Sequence, residues 1–354
     1  MRALVLESNG VIRYQADRPA PTPPPVGLGV ENCVLVRVAA CGICGSDIPR
    51  AFDGGAYHYP LVLGHEFSGV VEQDGVDRKK GDRVTAFPLI PRPGEKAFDT
   101  GDYAQTTNYD YFGSRRDGGM AEFVIVPECN LFPVPANIRL LHAACTEPAA
   151  VALHGVRKLG VHKTDDAAVF GAGPIGYLVA QWLKIAGCAR VFIVDVDARK
   201  LELAAAIGCI PVKPDASGDA VQKILDATGG NGVQRVVEAV GLPQTFVQAT
   251  QVAASFGEVV FMGNIHGELR VSDKDFSNIL RRELTIYGTW NSKIVPAGAD
   301  DWSTVLKIMD QGLQIAPMIS DTPTLDKGAE IFSSIRERKA WHHKVVFRVT
   351  PELC

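Results

Sequence analysis

Three residues of types that bind zinc occur in the first part of the chain. Cys44 precedes the adjacent pair His65 and Glu66, and glycine-rich turns flank both positions. Thiolate, imidazole and carboxylate are zinc ligands, and a catalytic zinc site uses three protein ligands and leaves one position open. This spacing alone is not specific, because a cysteine and a His-Glu pair so placed also occur by chance. The stretch predicts a catalytic metal site only if the rest of the chain supplies a reaction for it.

A glycine motif in the middle of the chain is typical of a dinucleotide site. Gly171, Gly173 and Gly176 form G-x-G-x-x-G between an apolar run and an amphipathic segment. The first glycine permits a tight turn, the second lets the backbone approach a pyrophosphate, and the third lets the helix pack on the strand. The helix N-terminus would then bind the pyrophosphate. The alternative is a glycine turn in a sheet that binds no cofactor.

Asp195 ends the next predicted strand, where a carboxylate accepts hydrogen bonds from the adenosine ribose hydroxyls. This position favours NAD over NADP, because the same carboxylate repels a 2′-phosphate, although Arg199 and Lys200 lie just beyond it. The cofactor-binding residues that we expect are Gly171, Gly173, Pro174, Ile175, Gly176, Asp195, Lys200, Val240 and Gly263.

The segments around these residues predict an α/β fold with two domains. From about residue 149, apolar strand patterns alternate with helical patterns, which predicts a doubly wound parallel sheet of six strands. Its last strand, 284–290, is apolar and lacks a proline or central charge, so it could pair with its symmetry mate in a homodimer, or in a dimer of dimers. Residues before 149 form short strands between turns, which indicates a barrel-like unit.

We expect a first domain of residues 1–152 and 293–354 and a second, NAD-binding domain of residues 153–292. The Pro-rich stretch 19–29 is predicted to be a surface connection. The segment 88–119 lacks periodicity, which predicts a functional lobe or a mobile loop.

Composition excludes several classes of protein. The 354 residues are 46% apolar and 21% charged with a net charge of −4, which is typical of a globular protein and argues against general binding of nucleic acid or membrane. Neither a secretory signal nor an apolar run long enough for a membrane helix is evident. Eight scattered cysteines show no disulfide framework, so we expect a reducing, cytoplasmic location. The Cys41-Cys44 pair does not begin a helix of the thioredoxin type, so we do not expect redox chemistry there.

Five motifs together resemble the zinc-dependent medium-chain alcohol and polyol dehydrogenases over essentially the whole chain. They are CGICGSD (41–47), GHEFSG (64–69), DGGMAEF (117–123), EPAAVALHG (147–155) and GAGPIG (171–176). The resemblance implies a GroES-like β-barrel catalytic domain with an inserted Rossmann domain. It also implies oxidation of an alcohol, in which zinc lowers the pKa of the hydroxyl and the carbon gives a hydride to NAD.

The resemblance assigns roles to individual residues. Cys44 and His65 would bind zinc, with Glu66 and Glu147 as acidic partners. One of the two glutamates ligates zinc in the polyol branch of the family, and the sequence does not distinguish them; Glu66 could equally form a salt bridge behind the metal. Ser46 would pass the alcohol proton outward, and Asp47 would orient the loop.

Two departures from the family pattern change what we expect. Many relatives hold a structural zinc with four cysteines in the segment after GHE, but 88–119 contains no cysteine, so one catalytic zinc is expected. Pro49 stands where many relatives place a proton-relaying histidine, which leaves release of the proton to Ser46 and water or the cofactor ribose.

Three longer stretches narrow the expected substrate: GSDIPRAFDGGAYHYPLVLGHEFSG (45–69), YDYFGSRRDGG (109–119) and ILRRELTIYGTW (279–290). They resemble the bacterial sugar-alcohol-phosphate dehydrogenases. This resemblance implies oxidation of galactitol 1-phosphate to tagatose 6-phosphate, or of a close analogue. Arg115 and Arg116 would clamp the phosphate and Tyr57 would close the pocket, although a solvated arginine pair and a packed aromatic residue are equally good interpretations. The alternatives are a dehydrogenase of a free polyol (of the sorbitol, threitol or inositol type) and a zinc-free quinone reductase or binding protein.

Overall fold

The computed structural model describes residues 1–22, 32–215 and 218–354. Its strands are β1 Ala3–Ser8, β2 Val11–Gln15, β3 Cys33–Gly42, β4 Leu61–Val62, β5 Glu66–Val71, β6 Arg83–Ala86, β7 Leu89–Ile90, β8 Asp110–Tyr111, β9 Phe123–Pro127, β10 Leu131–Pro133, β11 Asp166–Phe170, β12 Arg190–Val194, β13 Ile210–Val212, β14 Val233–Glu238, β15 Ala253–Phe261, β16 Thr285–Gly288, β17 Ile319–Asp321 and β18 Lys344–Arg348.

Its α-helices are α1 Asp47–Phe52, α2 Lys96–Asp99, α3 Leu140–Ala143, α4 Thr146–Val156, α5 Pro174–Ala186, α6 Ala198–Ala206, α7 Ala220–Ala227, α8 Pro243–Val252, α9 Asp273–Arg281, α10 Asp301–Gln311 and α11 Gly328–Glu337. Short 3-10 helices span Tyr103–Gln105, Glu128–Asn130, Ala316–Met318, Leu325–Lys327 and Pro351–Leu353. None of the helices among the described residues has the length and apolar character needed to cross a membrane.

The chain divides into two compact units. The first unit consists of Met1–Glu147 and Lys293–Cys354, and the second unit consists of Pro148–Ser292. The first unit is therefore built from both ends of the chain.

The second unit contains the six-stranded parallel sheet that the sequence predicts. Its strand order is β13-β12-β11-β14-β15-β16, which is the 3-2-1-4-5-6 order of the dinucleotide-binding fold. β11 pairs in parallel with both β12 and β14, so the strand order reverses at β11. Ligands of such sheets bind at the carboxyl ends of the strands beside this reversal. The predicted Rossmann fold is confirmed.

Local sequence explains how the helix after β11 begins and ends. α5 begins at Pro174, whose fixed φ and missing N–H suit the first helical position. It ends at Gly187, whose φ of 112° allows a left-handed cap that side chains disfavour. The buried face of α5 includes Leu178, Trp182 and Leu183. The helix is thereby packed with its N-terminus directly after the glycine turn.

The first unit is organised around β3. A seven-stranded sheet runs β10-β6-β5-β3-β18-β17, with β9 also paired to β3, and smaller sheets contain β2-β1-β4 and β7-β8. β18 brings the C-terminal segment to β3 with Phe347 opposite Cys41. Cys41 and Phe347 are fully buried in the core of this unit, together with Val36 and Phe67. The β-rich first domain expected from the sequence is confirmed.

Several predicted boundaries differ from those in the structure. The sequence AAVALHGVRKLG (149–160) predicts a helix that ends at Gly160, whereas α4 stops at Val156 and the next residues form a turn. Residues 88–119 include α2, β7 and β8 rather than being wholly irregular. Most of the Pro-rich stretch 19–29 lies outside the described residues.

The segment 88–119 is held by polar caps and aromatic contacts. Glu95 accepts hydrogen bonds from the backbone N–H (2.9 Å) and the hydroxyl (3.0 Å) of Thr107. The rings of Phe98 and Tyr103 lie 5.4 Å apart. These contacts close the segment on itself without cysteine ligands.

Candidate functional site

Two strand ends of the first unit bring the three candidate metal ligands together. Cys44 lies in the turn after β3, His65 directly precedes β5, and Glu66 is the first residue of β5. β3 and β5 are antiparallel with Gly42 opposite Glu66, so the turn after β3 and the start of β5 lie at the same edge. One thiolate sulfur, one imidazole nitrogen and one carboxylate oxygen all lie within 4.8 Å of one another. This donor set and spacing fit a zinc ion.

Asp47 lies behind this group and contacts two of its members, Cys44 and His65. Its side chain is fully buried. Oδ2 accepts a hydrogen bond from Cys44 N at 3.0 Å, and Oδ1 accepts one from Arg50 Nη1 at 2.9 Å. Oδ1 also lies 3.6 Å from His65 Nδ1, which has no hydrogen-bond partner in the described part of the chain. A carboxylate behind one ring nitrogen directs the other nitrogen toward a metal.

The charges around His65 favour its protonation when no metal is bound. Burial lowers the pKa of His65, but Asp47 and Cys44 outweigh it and raise that pKa well above its ordinary value. A cation bound by Cys44 and His65 would take the place of this proton. The site is therefore built to hold positive charge.

Lys344 is a partner of the site that sequence reasoning missed. Its Nζ donates hydrogen bonds to Glu66 Oε2 and, at 2.9 Å, to Ile43 O. The two charged side chains are 3% and 2% exposed. Burial lowers the pKa of Lys344, but Glu66 and two cysteines raise it above its ordinary value. A Cβ at Gly42 would lie 3.1 Å from Lys344 Cε and overlap the Glu66 carboxylate, so glycine is required there.

Glu147 and Tyr111 lie beside the three ligand candidates. Glu147, in the first turn of α4, is 5% exposed. Burial raises its pKa to about 7, helped by Glu66 and opposed by His65 and Lys344. Glu147 does not belong to the group of three within 4.8 Å. The ring of Tyr111 lies 5.6 Å from that of His65, and burial, Glu147 and Cys44 raise the pKa of Tyr111 well above its ordinary value.

The other predicted residues of the first unit differ in accessibility. Ser46 is exposed at the start of α1, and its hydroxyl caps none of the described backbone N–H groups there. Arg115 lies over the rings of Tyr57 (5.2 Å) and Tyr109 (4.4 Å). Arg116 instead forms an ion pair with Asp110, with Nε 3.0 Å from Oδ2. The two adjacent arginines therefore have different partners.

In the second unit, the glycine motif has the geometry of a phosphate-binding turn. Gly171 has a φ of +98°, and a Cβ at Gly176 would overlap the Gly171 carbonyl oxygen. A Cβ at Gly173 would meet no described atom within 4 Å, so open space lies at the N-terminus of α5. Pro174 and Ile175 form the first turn of this helix. Space and free N–H groups at a helix N-terminus are what a pyrophosphate requires.

A cavity of about 340 Å³ opens beside this turn. Its lining includes Gly171, Asp195, Val240, Leu242 and Thr245. Asp195 Oδ2 accepts a hydrogen bond from Ala172 N at 2.8 Å, and Oδ1 accepts one from Asp197 N at 2.9 Å. Lys200 Nζ lies 3.9 Å from Asp195 Oδ2. The carboxylate is thus fixed at the cavity wall.

Glu238, which was not predicted from the sequence, fixes the loop that carries Val240 and Thr245 of the cavity lining. It is fully buried at the end of β14. Its Oε1 accepts hydrogen bonds from Val240 N (2.9 Å), Gly241 N (2.9 Å) and Thr245 Oγ1 (2.6 Å). A Cβ at Gly263 would overlap Gly241 N, so these loops touch. The sequence does mark Glu238, because it is a charged residue at the end of a mostly apolar strand.

Comparison with known proteins gives a family match for each of the two units. Residues 30–136 match the family model "Alcohol dehydrogenase GroES-like domain", and residues 174–311 match "Zinc-binding dehydrogenase". The chain is 32% identical to galactitol 1-phosphate 5-dehydrogenase of Escherichia coli K12, over 98% of this chain and 99% of that protein.

Solved structures show the same similarity. The crystal structure of galactitol-1-phosphate dehydrogenase from Escherichia coli superposes with a TM-score of 0.90 at 30% identity, covering 98% of this chain and 100% of that chain. A putative zinc-binding dehydrogenase from Sinorhizobium meliloti 1021, bound to NADP, gives 0.87 at 31% identity, covering 98% of each chain. The family indicated by the sequence motifs is confirmed: the chain belongs to the zinc-dependent medium-chain alcohol and polyol dehydrogenases.

Proposed function

We propose that the protein uses zinc and NAD to oxidise a secondary hydroxyl of a sugar alcohol or sugar-alcohol phosphate to the ketose. Galactitol 1-phosphate, giving tagatose 6-phosphate, or a close analogue is the proposed substrate. The observation that carries this proposal is the group of Cys44, His65 and Glu66 within 4.8 Å, in a chain whose second unit has a dinucleotide-binding fold. The similarity to galactitol 1-phosphate 5-dehydrogenase over 98% of the chain supports the choice of substrate.

Cys44 and His65 would hold the zinc ion, with Glu66 or Glu147 as the third ligand. A zinc ion bound there supplies a Lewis acid that lowers the pKa of a substrate hydroxyl. Asp47 keeps the His65 ring in place through its contact with Nδ1. The exposed Ser46 hydroxyl passes the substrate proton to water, because Pro49 has no group that can carry it.

Besides the proton, the oxidation must remove a hydride from the substrate carbon, and a bound NAD would supply the hydride acceptor. Loss of a hydride from the substrate carbon and of a proton from its oxygen would then turn the alcohol into a ketone, with NADH as the other product. Asp195 favours NAD, because its fixed carboxylate would lie against the 2′-phosphate of NADP. Lys200 Nζ forms an ion pair with Asp195 Oδ2 at 3.9 Å, so assays with both NAD and NADP are needed to test this preference.

The test is a panel of polyols and polyol phosphates, assayed with NAD and with NADP on protein of known zinc content. We expect about one zinc ion per chain, the highest kcat/KM with galactitol 1-phosphate or a close analogue, and a preference for NAD. Less than about half a zinc ion per freshly purified chain would instead favour a zinc-free reductase or binding protein.

A free polyol is the second candidate substrate, and the arginine contacts favour it. Arg116 is already paired with Asp110, and Arg115 lies against Tyr57 and Tyr109. If Arg115 binds phosphate, Arg115→Gln should lower kcat/KM for galactitol 1-phosphate about tenfold or more and leave that for galactitol unchanged. Equal kcat/KM values for the two compounds in the wild type would reject the phosphate substrate.

A further inference from the structure

A tyrosine hydroxyl beside the candidate metal ligands has no assigned role. Tyr111 ends β8, and its ring is tilted by 59° against the His65 ring at a centroid distance of 5.6 Å. The phenol also lies within electrostatic range of Cys44 and Glu147. Tyr111 thus contributes a side chain to the same small space as the three ligand candidates and Glu147.

The hydroxyl of Tyr111 has no hydrogen-bond partner in the described part of the chain. The backbone groups of Tyr111 are already hydrogen-bonded. The N–H donates to Asp110 Oδ1 at 2.8 Å, and the carbonyl oxygen accepts from Arg115 N and Arg116 N. The side-chain oxygen forms no hydrogen bond with any residue that the structure describes. The residue as a whole is half-buried. An alcohol held at the site would supply the partner that this hydroxyl lacks.

A phenol hydroxyl can both donate and accept a hydrogen bond, and it is neutral at ordinary pH. It therefore suits an uncharged hydroxyl better than a charged group. An unpaired polar group in a confined site discriminates strongly, because a substrate that lacks the matching hydroxyl leaves it without a partner.

We propose that Tyr111 determines specificity by hydrogen bonding a second hydroxyl of the substrate, on the carbon next to the one that is oxidised. The inference rests on the proposed function, since it places an alcohol at the Cys44–His65–Glu66 group. It makes a hydroxyl on the neighbouring carbon a condition for tight binding at this site. Arg115 would act at the far end of the same molecule if that end carries a phosphate.

The experiment compares butane-2,3-diol with butan-2-ol, which differ by the neighbouring hydroxyl. Tyr111→Phe removes only the phenol oxygen. Tyr103→Phe is the matched control, because Tyr103 lies in the same segment but packs against Phe98. Two readouts are used: kcat/KM with the zinc-loaded protein, and Kd from the visible spectrum of the cobalt-substituted protein.

In the wild type we expect tighter binding of the diol. In Tyr111→Phe, both kcat/KM and affinity for the diol should fall about tenfold, while the values for butan-2-ol stay within about twofold. Tyr103→Phe should behave as the wild type with both compounds. Metal content should not change in either variant.

Three results would overturn the inference: equal affinity of the wild type for the two alcohols, equal losses for both in Tyr111→Phe, or no loss for the diol. The proposed function fails separately. A wild type that binds the diol through Tyr111 but transfers no hydride from any alcohol would reject the dehydrogenase reaction and leave the diol-binding role of Tyr111 in place.

Discussion

Lys344 and Glu66 form a buried ion pair at the edge of the candidate metal site. Lys344 belongs to β18 near the C-terminus and Glu66 begins β5, and both side chains are almost completely buried. A buried carboxylate needs a compensating charge, and breaking such a pair from one side costs about 3–5 kcal/mol. Here the carboxylate has two possible partners, the lysine ammonium and a metal ion beside Cys44 and His65.

Removal of the lysine should therefore have an effect that depends on zinc. We expect Lys344→Met to lower the free energy of unfolding of the zinc-free protein by about 3–5 kcal/mol. The loss should be smaller with zinc bound, because the Glu66 carboxylate can then interact with the cation. Urea denaturation with and without zinc measures both values.

The double variant Lys344→Met, Glu66→Gln is the control for this prediction. Without zinc it should be more stable than Lys344→Met alone, because no unpaired charge remains buried. The same loss of stability with and without zinc in Lys344→Met would show that Glu66 does not face the metal.

The two cysteines of the C-x-x-C pair should differ in metal binding. Cys44→Ala removes a ligand from the group of three, so its zinc content should fall well below the approximately one ion expected in the wild type. Cys41→Ala is the matched control, because Cys41 is fully buried and its Sγ contacts the Gly42 carbonyl oxygen at 3.7 Å. Elemental analysis after dialysis measures the metal. Full zinc retention in Cys44→Ala, or loss in Cys41→Ala, would contradict the ligand assignment.

Asp195 should set the choice between NAD and NADP. Asp195→Asn removes the negative charge and keeps one oxygen for the bond from Ala172 N. We expect the ratio of Kd values, NADP over NAD, to fall about tenfold, because the repulsion of the 2′-phosphate is lost. Titration calorimetry with both dinucleotides gives the ratio.

Asp215→Asn removes a charge from the same cavity and serves as the control. It should change the ratio far less, because Asp195 alone follows the strand next to the glycine turn. Equal shifts in the two variants would indicate a general effect of charge in the cavity rather than recognition by Asp195.

Residues close in sequence were predictable, whereas contacts between distant segments were not. The glycine motif with Asp195 after the next strand was sufficient for the second unit, because strand, turn and helix are local. Lys344 was not predicted, since only the pairing of β18 with β3 brings it to Glu66. Arg115 and Arg116 were expected to act together because they are adjacent. Their side chains differ in contacts, because one lies over tyrosine rings and the other pairs with Asp110.

The edge strand β16 should form the contact of a homodimer. β16 is the last strand of the six-stranded sheet, and Ile286 on it is 37% exposed. An apolar edge strand can pair with its symmetry mate across a two-fold axis. Ile286→Lys should shift the protein toward the monomer at micromolar concentration, because pairing would bring two ammonium groups together.

Val11→Lys is the matched control, since Val11 on β2 is also 37% exposed. This variant should keep the mass of the wild type in light scattering. A monomeric wild type would reject the dimer, and a dimer that survives in Ile286→Lys would place the contact elsewhere. If both variants become monomeric, the added charge rather than the edge strand explains the change.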